Sequence, residues 1–312
     1  MDRETEKAIK QILRRFGSHK VLKGKGVYIS HPAAEREYKR LLRAIMKLVN
    51  KSIEKKLPLI KAVYEKEGKY REKLISSNDV TNVKNIEPTV GLITAISEIK
   101  TLLTNDIVKY SEIVDINDSI DRLSNLTMRL TAKEWAKTCK QTLSVDIRED
   151  YFNGAFYQNK LDDWTQNNVD LIKSIPYDTI EEMGELIYDG YTSGKSTAQI
   201  ANEIQELYSL NRNKAEFIAR DQIAKLSGII QKEQQLDAGV KRYIWSTSKD
   251  ERVRRSHQEL EGKICCWDTP PENSDGRACH PGEDYGCRCV AIPLFEKGNL
   301  SLPVDGIEKI DM

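Results

Sequence analysis

The sequence predicts a mainly α protein with a small C-terminal α+β domain: a helical N-terminal region, then a four-helix unit, then a Cys/His-rich β-hairpin segment. Three observations carry this. Apolar residues recur at helical spacing from Ala8 to about Leu236. Strand character is confined to Val240–Thr247 and Val290–Leu294. Between those two runs lies a Pro/Gly/Cys-rich excursion too poor in apolar residues to hold itself together by burial, so a metal or disulfide staple is expected there.

The elements follow in order. The first segment, to about Leu22, reads as a short amphipathic helix marked by Ala8, Ile9, Ile12, Leu13 and Phe16 and ended by Gly17, and Gly24-Lys-Gly26 reads as a link. From Pro32 a second helix carries Leu41, Leu42, Ile45, Leu48 and Val49, with Pro58 expected to interrupt or kink it. Ser76 to Pro88 reads as a polar loop. Val90–Val114 and Ile116–Leu143 are two further helices, with a break expected where Thr131-Ala-Lys-Glu134 resembles a capping box. Val145 to Thr165, with Tyr151-Phe152, Phe156-Tyr157 and Trp164, reads as a connection packed onto the next unit. The four-helix unit then has one helix stopped by Pro176 and a second capped by Asp178-Thr-Ile-Glu181. A third is capped by Ser196-Thr-Ala-Gln199, and a fourth opens at Asn211 or Asn213 and closes at Gly239. The expected domains are 1–160, 161–296 and a tail, 297–312.

Composition narrows the function. The 312 residues allow two folded regions, and 39% hydrophobic against 31% charged residues suit an elongated helical body. The charged start reads as no secretory signal, and no apolar run approaches the ~18 residues of a membrane span, so a cytosolic origin without membrane contact is expected. The net charge of +1 is unevenly spread. Met1–Ile75 holds 21 Lys+Arg against 9 Asp+Glu, a net of +12; the remainder holds 28 against 39, a net of −11. A basic head implies an anionic partner, either DNA or an acidic protein surface, or else simply a solvated Lys-rich helix. Arg14, Arg15, Lys39, Arg40, Arg43 and Lys47 are the candidate contacts. Such contact with double-stranded DNA would be non-specific and salt-sensitive. Aromatics there are few (Tyr28, Tyr38, Tyr64, Tyr70), which argues against reading single strands.

Five of the six cysteines crowd into one stretch, which in a reducing compartment points to metal before disulfides. Cys139 stands apart as a small buried hydrophobe. Cys287 and Cys289 are two apart and share one face of an extended chain. Zinc needs four soft or borderline donors, and His257 and His280 complete a candidate set, with Cys265, Cys266 and Cys279 as alternatives. Thiols and histidines packed in a hydrogen-bonded hairpin, or a disulfide, are the other readings. Asp250, Arg252, Arg254 and Arg255 can form a fixed ion network with Glu283 or Asp284, or meet phosphate; the acidic loop favours the network. Arg220-Asp221 can bridge the helical unit to the hairpin, against the plainer reading of an exposed helical pair. His257 and Asp250 with Cys287 or Ser256 can be drawn as a nucleophilic site, but there is no P-loop, H-E-x-x-H or G-x-S-x-G, and no enzyme is expected.

Two blocks carry a family resemblance. Trp245…Asp250-Glu-Arg252-Val-Arg254-Arg-Ser-His257-Gln-Glu-Leu260-Glu-Gly262 and His280-Pro281-Gly282-Glu-Asp-Tyr-Gly-Cys287-Arg288-Cys289-Val-Ala-Ile-Pro293 together resemble the Mu F-like minor head proteins of tailed phages. Leu171–Pro176, the Gly190…Ser196…Ile200 turn and Ala219-Arg220-Asp221-Gln222 are similar to the same family, so the likeness covers about Asn168 to Pro293. Cys265, Cys266 and Cys279 are surplus to its pattern. The resemblance implies a minor capsid protein of the virion, made in the host cytoplasm from a phage or prophage. Such a protein acts in head assembly and in DNA packaging or delivery, in contact with the portal protein and with scaffold or major capsid protein. The alternative is a DNA-binding or metal-dependent nuclease-like protein sharing the C-terminal domain.

Overall fold

A computed structural model describes residues 3–25, 31–76, 87–111, 114–148, 155–304 and 309–311. The elements run α1 (Arg3–Phe16), β1 (Val21–Lys23), α2 (Pro32–Ser76), α3 (Val90–Ser111), α4 (Ile116–Leu143), α5 (Ala155–Ser193), α6 (Thr197–Asp237), β2 (Arg242–Ser246), α7 (Arg255–Gln258), β3 (Ile264–Cys266), β4 (Val290–Glu296), β5 (Ser301–Leu302) and β6 (Ile310–Asp311). The chain is thus mainly helical with a small α+β region at its C-terminal end. No helix among the described residues is long and apolar enough to cross a membrane.

The chain forms two compact units. One comprises Tyr38–Ser119 and Asn167–Ile218. It is held by aliphatic packing: Val49, Ile53, Leu92, Leu103, Met183 and Ile204 are buried in one cluster. The α5–α6 turn shows how local chemistry fixes this packing. Gly190 leaves room for Ile200, whose Cδ1 would sit 1.8 Å from an added Cβ. The N–H of Lys195 donates to the Gly190 carbonyl at 2.9 Å, closing α5. The Ser196 N–H then donates to Gln199 Oε1 (2.7 Å) while the Gln199 N–H donates to Ser196 Oγ (3.3 Å), the reciprocal capping box read from the sequence.

The other unit comprises Met1–Glu37, Ile120–Gln166 and Ala219–Met312. Its four-stranded sheet has the order β1-β4-β2-β3, all antiparallel. The expected hairpin is present as β2 and β4, with Tyr243 opposite Pro293 and Trp245 opposite Ala291. Trp135 of α4 stacks on Phe295 of β4 with ring centroids 5.8 Å apart. Ala8, Ile12 and Phe16, one face of α1, are buried. Gly239 ends α6 with φ +76°, and an added Cβ would meet the Asn299 carbonyl at 1.7 Å.

Several expected breaks are absent. Between Asn168 and Gly239 the structure has two long helices, α5 and α6, where four were expected. Pro176 lies inside α5. It removes one backbone donor, but Ile172, Pro176, Ile180 and Met183 share a buried face that continues the helix. Asp178 and Asn213 accordingly sit mid-helix and cap nothing. Thr131 starts no helix either: its hydroxyl donates to the Thr127 carbonyl at 2.9 Å within an unbroken α4. α2 likewise runs through Pro58. Half of the expected 145–165 connection is the start of α5, carrying buried Tyr157 and Trp164. The end of the first segment, expected as part of a helical stretch to about Leu22, is instead β1, whose Leu22 lies opposite Phe295. Gly26, Tyr28, Tyr151, Phe152 and most of the 76–88 loop lie outside the described residues.

Candidate metal centre

Three segments converge after Gly239. β2 contributes Tyr243 and Trp245, both fully buried. The connection after β2 carries α7, and with it His257. It closes at Gly262 (φ +77°), whose N–H donates to the Trp245 carbonyl at 2.8 Å. The loop from Cys279 to Cys289 then leads into β4.

That loop is pinned to α6. The Gly286 N–H donates to Asp221 Oδ1 at 2.6 Å. Two turns further on, an added Cβ on Gly228 would meet the Pro281 carbonyl at 3.1 Å and Gly282 Cα at 3.4 Å. Gly282 itself has φ +90°. Asp221, 4% exposed and paired with Lys225 at 2.8 Å, is therefore the bridging member of the Arg220-Asp221 pair. Arg220 lines a cleft of about 390 Å³ together with Asp250, Arg252, Arg288, Cys287 and Cys289.

Inside the loop the donors gather around His257. Its Nδ1 lies 3.6 Å from Cys287 Sγ and 3.5 Å from Cys289 Sγ, and all three residues are buried. Cys287 Sγ also accepts from the Gly282 and Cys289 N–H groups, each at 3.4 Å. The other ring nitrogen, Nε2, lies 3.0 Å from Asp284 Oδ2. Cys279 Sγ, a ring nitrogen of His257 and a carboxylate oxygen of Asp284 lie within 4.8 Å of one another. Two overlapping groups with metal-ligand chemistry thus share His257.

The charges answer one another. Hydrogen bonding to Cys279 and Cys287 lifts the His257 imidazole to about 10 against the cost of burial. A hydrogen bond from Cys289, helped by His257, draws the Cys287 thiol down to about 5, while Cys289 is pushed up by its proximity to Cys287 and by burial. Without an ion the cluster balances as a thiolate against an imidazolium; a bound cation would displace those protons. Asp284 is held from outside by Arg254 Nη1 (2.6 Å), Arg277 Nη1 (2.9 Å) and the Tyr285 N–H (2.8 Å).

The remaining candidates fall around this centre. His280 joins neither group: its Nδ1 sits 2.8 Å from Tyr243 Oη, and its ring packs against Trp267 with centroids 4.9 Å apart. Cys265 is buried on β3 with its Sγ 3.8 Å from the Lys263 carbonyl, and Cys266 is exposed on the same strand. Arg288 and Asp250 form a two-pronged pair, which holds the Asp250 carboxyl down at about 2. Arg252 is an exposed neighbour 3.7 Å from Asp250. Pro293 receives the Gly24 N–H on its carbonyl at 2.8 Å. Arg277 and the Gly228 contact carried no sequence signal beyond a lone arginine and a mid-helix glycine. The acidic run after Gly282 did contain Asp284, but nothing linked it to His257.

The basic residues expected to meet DNA or a partner are divided between the units. Arg14 and Arg15 lie in one, and Lys39, Arg40, Arg43 and Lys47 in the other. Arg15 donates to the Thr142 and Gln141 carbonyls at the end of α4, at 3.0 and 3.2 Å. Arg43 pairs with Glu216. Lys39 and Arg40 also have partners, and Arg14 and Lys47 are exposed.

Residues 181–292 match the family described as phage Mu protein F like. That segment is similar to the Mu F-like family. The matched segment runs from the middle of α5 into β4 and encloses the whole His257 centre. An uncharacterized protein of Haemophilus influenzae strain Rd is 33% identical to this chain over 163 residues, which is 52% of this chain and 36% of that protein. The chain therefore spans about a third of that relative's length. No solved structure matches.

Proposed function

We propose that this Mu F-like protein is a minor structural component of a tailed-phage head. In this reading it acts in head assembly and in DNA packaging or delivery through contact with the portal, and it enters the virion from the host cytoplasm. The carrying observation is the family match over residues 181–292, which coincides with the segment whose side chains are most elaborately fixed. That fixation supports an architectural role. Arg254, Arg277 and Arg288 are engaged by Asp284 and Asp250, which leaves them poorly placed to bind the phosphates of a nucleic-acid substrate. The His257 centre is read as a structural zinc site. Its donors are two or more thiolates and an imidazole, and the buried cluster that contains them has Leu260 and Ala291 as its aliphatic members.

The test is co-expression with a portal protein of the same phage or prophage. Co-migration of the two on size exclusion is expected, and a portal ring free of this chain overturns the reading. A parallel incubation with DNA and Mg²⁺ or Zn²⁺ addresses the nuclease class: cleavage abolished by His257→Ala would replace the structural reading with an enzymatic one.

A further inference from the structure

The zinc reading leaves open which groups bind the ion and what holds them. The distances constrain this closely. With metal–sulfur bonds of about 2.3 Å and metal–nitrogen bonds of about 2.0 Å, a tetrahedral ion places a ligating nitrogen about 3.5 Å from each sulfur. His257 Nδ1 stands 3.6 Å and 3.5 Å from the sulfurs of Cys287 and Cys289. The ring is therefore already at the edge length of such a tetrahedron.

The other side of the ring determines which nitrogen is free. Asp284 is buried and already accepts from Arg254 and Arg277, so it is an ionised acceptor and His257 Nε2 must supply the hydrogen in their 3.0 Å contact. That keeps a proton on Nε2, so the nitrogen that a cation can take over, once it displaces the proton there, is Nδ1, which faces the thiols. A carboxylate behind a ligating imidazole is a common way to set the tautomer and orient the ring.

The fourth donor follows from what the other candidates are doing. His280 is engaged with Tyr243, Cys266 is exposed, and Cys265 lies on β3 against the Lys263 carbonyl. Cys279 is buried, and its Sγ lies within 4.8 Å of a His257 ring nitrogen and of an Asp284 carboxylate oxygen, in a group separate from that of Cys287 and Cys289, so closing the tetrahedron requires its side chain to turn toward those two sulfurs.

We infer that the centre is a Cys₃His zinc site: His257 binds through Nδ1, Cys279, Cys287 and Cys289 complete the tetrahedron, and Asp284 positions the imidazole from outside it. The inference rests on the zinc reading under Proposed function. The site's purpose is to tie α7 and the 279–289 loop into one cross-link, with Arg254 and Arg277 extending that link through Asp284 to the adjoining turns.

The experiment uses the full chain, purified without chelator, with metal content and Zn²⁺ affinity measured by competition with a chromogenic chelator. One zinc per chain is expected. Cys279→Ser should lose it, whereas His280→Ala and Cys266→Ser keep it. Asp284→Asn should retain one zinc at saturation but weaken affinity by about 10- to 100-fold. Replacement by Co²⁺ gives a readout that does not depend on any variant folding: the intensity of the sulfur-to-cobalt charge-transfer band counts thiolates, and three are expected. Metal-free wild-type protein overturns the zinc reading itself. Metal-loaded protein with a two-thiolate cobalt spectrum, or with zinc lost in His280→Ala, or with unchanged affinity in Asp284→Asn, overturns this inference alone.

Discussion

The helical unit and the segment after Gly239 solve the problem of cohesion in opposite ways. The helical unit buries a continuous run of aliphatic side chains from α2, α3, α5 and α6, with Ile53, Leu92, Leu103 and Ile204 at its centre. Its ion pairs, such as Lys100 with Glu181 and Arg43 with Glu216, join helices at the rim of that core. Around the candidate centre the C-terminal segment gathers Tyr243, Trp245, Leu260, Trp267 and Ala291 with four cysteines. Its cohesion comes from directed links: His257 to Asp284, Asp221 to Gly286, Arg288 to Asp250. Burial is tolerant of shape, so the first region should yield gradually to substitution. Directed links fail singly, so the second should have a few positions of very large effect and many of none.

The largest expected effect tests that contrast directly. Trp245→Ala removes the largest fully buried side chain from a region with little else to collapse into the space. It should cost about 3–5 kcal/mol in urea unfolding, whereas Leu103→Met, a volume-conserving change in the aliphatic cluster, should cost less than about 1.5 kcal/mol. Comparable losses for the two would erase the distinction between the regions.

A second effect, about 3 kcal/mol at most, is set by pH. His31 is 5% exposed, and its Nε2 lies 3.0 Å from Thr131 Oγ1. The Thr131 hydrogen is spent on the Thr127 carbonyl, so His31 must be the donor, through Nε2–H. Burial lowers its pKa from 6.5 to about 4. The folded state therefore resists a proton that the unfolded chain accepts. The stabilisation is complete above pH 6.5 and declines as the pH falls toward 4, by about 1.4 kcal/mol per pH unit at the steepest. Unfolding free energies at pH 7 and pH 4.5 should differ less in His31→Gln than in the wild type; parallel pH dependences would show that His31 is not buried neutral.

A middling effect, about 1–3 kcal/mol, is expected for Asp221→Ala, which strips the Gly286 N–H of its acceptor and leaves Lys225 without its partner. Hydrogen exchange should rise first at Gly286 and Cys287, with the α6 amides nearly unchanged. Protection that falls along all of α6 instead would mean that Asp221 serves the helix and not the loop.

How much of this could be read from sequence differs between the regions for the same reason. Spacing of apolar residues shows a helix face, so α1, α3 and the Ser196 capping box were legible, as were Gly239 and the β2–β4 pair. What spacing cannot show is when burial overrides a local stop signal. Pro176 and Thr131 carry such signals, yet the packed faces of α5 and α4 continue through them. β1 is only Val21–Lys23, too short to show alternation, and exists because β4 offers it an edge. At the candidate centre the cysteine crowding and His257 were visible, but not the choice between Cys279 and His280. These are chain neighbours, and in an extended connection neighbouring side chains point to opposite sides, so only one can face His257. The tertiary position of Tyr243, which engages His280, is what favours Cys279 in the proposed set.

The smallest effect bears on the basic N-terminal region, where charge counting and geometry diverge. A run of Lys and Arg reads as one anion-binding face, but Arg15 has a local task. Its guanidinium meets the last carbonyls of α4, where the helix leaves acceptors without partners and its dipole favours a cation. Arg15→Ala should therefore lower stability by about 0.3–1 kcal/mol and change DNA retention little. Arg14→Ala and Lys47→Ala remove exposed charges with no such contact shown, and should leave stability within about 0.5 kcal/mol. If the basic region binds DNA, these last two should each reduce the slope of affinity against salt by about one counterion. If it docks on an acidic protein surface, DNA retention should not respond to either, and the loss should appear in portal co-migration instead.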